Sequence, residues 1–224
     1  MIDVVPAIIP RDKKQLEDEM TLVSKFASRV QVDICDGIFV PVKTWPYNTQ
    51  DVDYFEQLKR EEVGWPEWEN VDIEVHLMVA HPERIVLDWI DTGVTMVVAH
   101  VEATEDFQEL IDVCRVHEVG VGIAIKPSTD ISLLAPFAEQ VDCIQVMGSQ
   151  KLGHHGVPLD PSVATRISEL RTLYGERIIG VDIGVTEDTA PELVSAGARK
   201  LIIGSAILDA DDPEEAYLFF KNQE

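Results

Sequence analysis

The chain has 224 residues, 46% of them hydrophobic, which is enough to bury one large core and too few for two well-sized domains of different kinds. Eighteen Lys+Arg against 41 Asp+Glu give a formal charge of −23, which repels nucleic-acid phosphates and anionic membrane surfaces and argues against both as partners. A small anionic substrate remains compatible, because backbone amides can make a pocket locally positive inside an acidic surface.

Short apolar runs rich in Val and Ile alternate with amphipathic stretches along the whole chain. In order, Val4 to Ile9 precedes a helix predicted over Lys13 to Ser28, Val30 to Ile34 precedes Asp51 to Arg60, and Ile73 to Val79 precedes Pro82 to Thr92. Met96 to Val101 is followed by Glu105 to Glu118, Val121 to Ile125 by Ile131 to Ala138, and Cys143 to Met147 by Pro161 to Tyr174. Ile178 to Val185 then leads into Glu187 to Ala196, and Leu201 to Ile207 into Pro213 to Asn222.

Runs that are apolar on both faces are what strands covered on both sides look like, so they read as parallel strands. Pro82, Pro161 and Pro213 suit first helical turns, Thr104, Asp160 and Thr186 suit N-caps, and Gly93, Gly120 and Gly197 punctuate helix ends. Eight strands alternating with eight helices match a (β/α)8 TIM barrel, predicted here as one domain over residues 1–224. An open doubly wound sheet is the alternative; the lack of Gly-x-Gly-x-x-Gly after the first strand and the strand count argue against it.

The segment Phe39 to Asn70 carries Trp45, Trp65 and Trp68 and reads either as a lid or subunit contact or as a surface loop held by its aromatics. Cys35, Cys114 and Cys143 are odd in number and widely spaced, which disfavours a disulfide framework or a cysteine zinc cluster and points to a reducing compartment. With no signal-like start and no apolar run of membrane-spanning length, the expectation is a soluble cytoplasmic protein.

In a barrel of this type chemistry sits where the strands end, so polar residues late in apolar runs carry the functional information. The second strand offers Gln31, Asp33 and Asp36, the third Glu74 and His76, the fourth His100 and Glu102, and the seventh Asp182. A carboxylate inside a Val/Ile run is costly to bury unpaired. Any one of these is as well explained by strand-end capping or a local ion pair. Asp33 and Asp182 with His76 between them make an acid/base pair suited to moving a proton across the two faces of a carbon next to a carbonyl, or a set of ligands for a divalent metal.

The segments Val32-Asp33-Ile34-Cys35-Asp36-Gly37-Ile38-Phe39-Val40-Pro41, Val75-His76-Leu77-Met78-Val79, His100-Val101-Glu102-Ala103, Val181-Asp182 and Gly204-Ser205-Ala206-Ile207 resemble the ribulose-phosphate 3-epimerase family, in order from about Val5 to Leu208. The resemblance implies a ribulose-phosphate-binding type of TIM barrel that inverts C3 of a phosphorylated ketopentose through an enediolate, with Asp33 and Asp182 as acid and base. It also implies a divalent zinc, iron or manganese ion on Asp33, His76 and Asp182, a small phosphorylated sugar as partner, and a homo-oligomer.

The chain departs from the family pattern at several points. Gln31 stands where the family has a fourth metal ligand, a histidine, and a carbonyl oxygen binds zinc less well than imidazole. Ala7 replaces a substrate-touching serine and Cys35 one of three methionines around the reacting carbon, of which Met78 and Met147 remain. The glycine-rich phosphate loop after strand six reads Met147 to Gly156, and the paired glycines after strand seven become Ile183-Gly184. Amides near Gly184, Gly204 and Ser205 can still receive phosphate, with Lys151 or His154 adding positive charge, although His154 and His155 read better as exposed loop residues.

Two other readings remain. One is a decarboxylase or aldol-type lyase of the related sugar-phosphate barrels, which place a lysine where this chain has Cys35. The other is a non-catalytic sugar-phosphate-binding barrel that has lost part of the metal and phosphate sites.

Overall fold

The computed structural model describes residues 2–48, 51–154 and 156–223. Eight parallel strands, β1 (Asp3–Ile8), β2 (Arg29–Cys35), β3 (Asp72–Met78), β4 (Met96–His100), β5 (Gly120–Ile125), β6 (Cys143–Met147), β7 (Ile178–Asp182) and β8 (Lys200–Ile203), follow one another in order around a closed barrel. The predicted (β/α)8 architecture is therefore the observed one. By contacts the chain groups into two compact units, one holding the chain up to Pro6 and from Gly122 onward, the other Ala7–Val121.

In the unit Ala7–Val121, β2 and β3 pair along seven residues, with Asp33 opposite His76 and Cys35 opposite Met78. Side chains alternate along a strand, so Gln31, Asp33 and Cys35 share one face of β2, and Glu74, His76 and Met78 one face of β3. Helix α1 (Lys13–Val23) starts where Asp12, in extended conformation, accepts a hydrogen bond from the Gln15 amide, and it buries Leu16, Met20 and Val23 at helical spacing. It stops at Val23, short of the predicted Ser28. Helix α2 (Val52–Lys59) matches expectation, whereas the helix predicted over Pro82 to Thr92 is split into a 3-10 turn, Pro82–Arg84, and the short α3 (Val86–Ile90). Helix α4 (Phe107–Val116) is capped by Asp106, which accepts from the Gln108 and Glu109 amides, and not by Thr104. Gly120 opens β5, and the left-handed residue after α4 is Glu118, at φ 58°.

The segment after β2 is held from within. Trp45, fully buried, sits 5.6 to 6.2 Å from the rings of Tyr54, Phe55, Trp65 and Trp89. Tryptophans 45 and 65 are thus core residues that wrap the loop, and Trp68 is the exposed one. The Asp36 carboxylate accepts from the amides of Ile38, Phe39 and Ala80, tying the exit of β2 to that of β3.

In the other unit, Ile131–Leu134 forms only a 3-10 turn, opened by Asp130 accepting from the Ser132 amide. The predicted helix there is broken by Pro136, which cannot supply a backbone donor. Helix α5 (Val163–Leu173) begins at Ser162, with Asp160 and Pro161 in the preceding turn, and α6 (Ala190–Ala196) begins at Thr189 rather than Thr186. Gly197 closes α6 in the left-handed region as expected, with φ 116°. Strands β7 and β8 end earlier than their apolar runs, because Ile183 and Gly184 turn left-handed and Ser205–Leu208 forms the short helix α7. Helix α8 (Pro213–Lys221) has Pro213 in its first turn, and Asp212 accepts from the Glu214 and Glu215 amides. Among the described residues no helix is long and apolar enough to cross a membrane.

Candidate active site

Strands β2, β3 and β4 carry a connected line of buried polar side chains. The Gln31 amide nitrogen donates to Asp33 Oδ1 at 3.3 Å, and the same oxygen lies 3.0 Å from His76 Nδ1. His76 Nε2 lies 3.1 Å from His100 Nε2, and His100 Nδ1 lies 3.1 Å from Glu102 Oε2. Gln31, His76 and His100 are fully buried and Asp33 nearly so. Phe39, from the loop that Asp36 pins, packs against the His100 ring at 4.9 Å.

The order of partners sets the protons. A carboxylate only accepts, so His100 Nδ1 carries the hydrogen facing Glu102, and in a neutral ring its Nε2 is then an acceptor. With His100 in that tautomer, His76 donates to it from Nε2 and turns its Nδ1 lone pair toward Asp33. Two acceptors 3.0 Å apart call for a proton or a cation between them. Gln31 Oε1 is also buried without a hydrogen-bond partner, since the amide is turned to give its nitrogen to Asp33.

In the other unit Asp182 ends β7, nearly buried, and accepts from the Gln145 amide of β6 at 3.3 Å. Met147, fully buried, is the register partner of Asp182. Each aspartate thus accepts from a glutamine amide. The sequence reading singled out Gln31 but missed Gln145, whose only signal was a lone polar residue inside Ile144-Gln145-Val146.

Asp33 Oδ1 and His76 Nδ1, 3.0 Å apart on neighbouring strands, are ligand atoms of the kind that hold a metal ion. The orphaned Gln31 oxygen and, in that tautomer, the His76 Nδ1 lone pair are donors of the kind such an ion needs, so the residues present fit it. Ala7, buried on β1, is the register partner of Gln31. Met78 is buried at the end of β3. Cys35 is also buried; burial first, and then the charges of Asp33 and Asp36, push its thiol pKa up, so it is a packing group and not a nucleophile.

Gly184, Gly204 and Ser205 lie on the loops after β7 and β8, half-buried. A Cβ on Gly184, which has φ +75°, would come within 2.7 Å of the Leu159 backbone, and one on Gly148 would meet the Ile183 carbonyl at 1.8 Å. The strand-six loop therefore keeps one indispensable glycine despite its altered sequence. Ile183 is itself left-handed at φ 77°, a strained position for a β-branched residue and directly after Asp182. Lys151 and His154 are exposed, and His155 lies outside the described residues.

The profile of the family described as "Ribulose-phosphate 3 epimerase family" matches residues 3–208. Among curated relatives, ribulose-phosphate 3-epimerase of Schizosaccharomyces pombe is 31% identical over 98% of this chain and 92% of its own. That of Bacillus subtilis is 28% identical over 96% of each. Solved structures of 3-hexulose-6-phosphate synthase, at TM-score 0.69 and 14% identity over 98% of both chains, and of a tryptophan synthase α-subunit from Pyrococcus furiosus, at 0.66 and 14% over 99% and 97%, share the fold. With a profile match along nearly its whole length and the aspartates and histidine of that resemblance in place on β2, β3 and β7, this chain belongs to the ribulose-phosphate 3-epimerase family.

Proposed function

We propose that this chain is an isomerase that interconverts ribulose 5-phosphate and its C3 epimer, both units working as one barrel domain. The observation that carries the reading is that a chain of this family buries a carboxylate late in each of two apolar strands, Asp33 beside the fully buried His76 in one unit and Asp182 beside Gln145 in the other. One aspartate takes the C3 proton as a carboxylate, the C3–H bond electrons move into an enediolate, and the other, protonated, returns a proton to the opposite face. The same pair with roles exchanged runs the reverse reaction. The hydrogen bonds from Gln31 and Gln145 fix the two carboxyl groups, and Cys35, Met78 and Met147 line the strand ends with side chains that keep water from the carbanion.

A divalent zinc, iron or manganese ion, for which the family resemblance names Asp33, His76 and Asp182 and to which the Gln31 carbonyl could add a ligand, would supply positive charge to the developing enediolate oxygens. The amides around Gly184, Gly204 and Ser205 receive the 5-phosphate, with the left-handed Ile183-Gly184 turn presenting the first of them. Ala7, too short to reach a substrate hydroxyl, leaves that contact to its neighbours.

The test is epimerisation of ribulose 5-phosphate by chelator-stripped protein with added zinc, iron or manganese, against Asp33→Asn and Asp182→Asn. Each substitution is expected to lower the rate by about 10²- to 10⁴-fold, the usual worth of a positioned acid or base. No turnover by the unsubstituted protein with any of the three metals refutes the reading. The non-catalytic binding barrel is favoured by the glutamine at position 31, and it is selected if Gln31→His gains metal without gaining turnover.

A further inference from the structure

A second group of ligand-type side chains stands beyond the ends of β3 and β4. We propose that His81, Glu83 and Glu105 form a binding site for a divalent transition-metal ion of the zinc class, separate from the Asp33–His76 pair. One ligand atom from each of the three lies within 4.8 Å of the others.

The compelling member is Glu83. Its side chain is 4% exposed, and neither carboxylate oxygen has a hydrogen bond. Among the described residues its cationic neighbours are His81 Nδ1 at 3.4 Å and Arg84 Nε at 4.0 Å, both beyond ordinary hydrogen-bond length. A carboxylate hidden in this way costs several kcal/mol unless something compensates it. His81 Nδ1 is also buried with no hydrogen-bond partner, although 39% of the histidine side chain remains exposed. Two hidden donor atoms aimed at one another, each lacking a hydrogen bond, are what an ion between them would satisfy.

Glu105 completes the set from the solvent side. Its Oε1 lies 3.8 Å from His81 Nδ1, while its Oε2 accepts from Arg84 Nη2 at 2.8 Å. Arg84 thus orients the carboxylate and leaves one oxygen for the ion. In a tetrahedral site with bonds of about 2.0 Å the ligand atoms stand about 3.3 Å apart. The 3.4 Å pair already meets that spacing, and the exposed Glu105, with its Oε1 3.8 Å from His81 Nδ1, is free to swing toward the ion. With a neutral His81 the cluster with Arg84 carries one net negative charge, which favours a cation. One imidazole and two carboxylates leave a fourth position for water, a donor set suited to zinc, cobalt or nickel and poor for magnesium.

The backbone is fixed in readiness. The His81 amide donates to the Ala103 carbonyl at 3.0 Å and the His81 carbonyl accepts from Arg84 at 3.0 Å, so the turn after β3 is already joined to the loop after β4. An ion there would staple the two exits, each a few residues beyond His76 and His100.

The experiment is a titration of the chelator-stripped full chain with Co²⁺, followed by visible absorption and by metal count, with Zn²⁺ displacement. Unsubstituted protein is expected to bind one more equivalent than His81→Gln or Glu83→Gln, and Asp33→Asn is expected to keep that equivalent. As a second measurement, Zn²⁺ is expected to raise the melting temperature of Asp33→Asn and to leave Asp33→Asn/His81→Gln unmoved. Equal stoichiometry and affinity in the unsubstituted chain and both single variants would overturn the proposal. So would a parent on which Zn²⁺ has no effect together with a Glu83→Gln variant less stable than it, which would make the cluster a plain histidine–glutamate ion pair.

Discussion

Replacing His100 tests the proton order along β2 to β4 directly. His100→Leu keeps the volume and removes both the ring nitrogen 3.1 Å from His76 Nε2 and the one 3.1 Å from Glu102 Oε2. An unmet buried donor costs about 1–3 kcal/mol, which for a chain of this size is a fall of about 3–9 °C in melting temperature. The second effect is on the metal. Without His100 the His76 proton is free to move to Nδ1 and bond Asp33 at 3.0 Å, which consumes the lone pair an ion would use. Loss of such an outer partner typically lowers metal affinity by about 10- to 100-fold, equivalent to about 1.4–2.7 kcal/mol. His100→Gln, whose carbonyl can accept in place of Nε2, is expected to recover part of both losses. Affinity is read by Zn²⁺ competition with a chromophoric chelator and stability by urea unfolding without metal. Unchanged zinc affinity in His100→Leu, with its fold intact by circular dichroism, would refute the assignment of the His76 proton to Nε2.

Trp45→Ala removes the centre of a five-ring cluster and is expected to cost about 3–5 kcal/mol by urea unfolding, while the same change at the exposed Trp68 costs under about 1 kcal/mol. Gly184→Ala must hold alanine at φ +75° and also displace the Leu159 backbone, whereas Gly93→Ala at φ +82° meets nothing within 4 Å. The first is expected to destabilise by clearly more than the second, whose cost is about 1 kcal/mol, and to weaken sugar-phosphate binding, as calorimetry would show. Burial, assisted by Asp36 and Asp88 for Tyr47 and by Glu17 for Tyr54, pushes both phenols up to about 12, while Trp89 draws Tyr47 slightly down. Above pH 10 the unfolded chain releases these protons and the folded chain retains them, so stability is full below pH 10 and falls between pH 10 and 12. Melting temperatures across that range that stay flat would contradict it. Cys35, held protonated by the same kind of burial, is expected to resist thiol reagents at pH 8 until the protein unfolds.

The number and order of the strands are written in the pattern of the chain, as are the strand ends that carry buried polar residues. Val/Ile runs covered on both faces cannot be mistaken for alternating surface strands, and acidic residues inside such runs stand out because burial makes them costly. Asp33, His76 and Asp182 were legible for that reason, whereas the segment with Trp45, Trp65 and Trp68 was left open between a lid and a loop held by its aromatics, and burial of Trp45 and Trp65 selects the second. Helix ends were less legible. Asp106 displaced Thr104 and Ser162 displaced Asp160, because several capping residues lie within each loop and only the direction in which the chain enters the helix chooses between them.

What only the tertiary structure decided is which groups share protons and which lack partners. Gln145 beside Asp182 and the passage from Asp33 through two imidazoles to Glu102 join residues 37, 43 and 24 positions apart, and the cluster around the hidden carboxylate of Glu83 draws in Glu105 from another loop. Hydrogen bonds act over about 3 Å and carry no mark in the local pattern of a chain, so strand register and loop closure alone bring such atoms face to face.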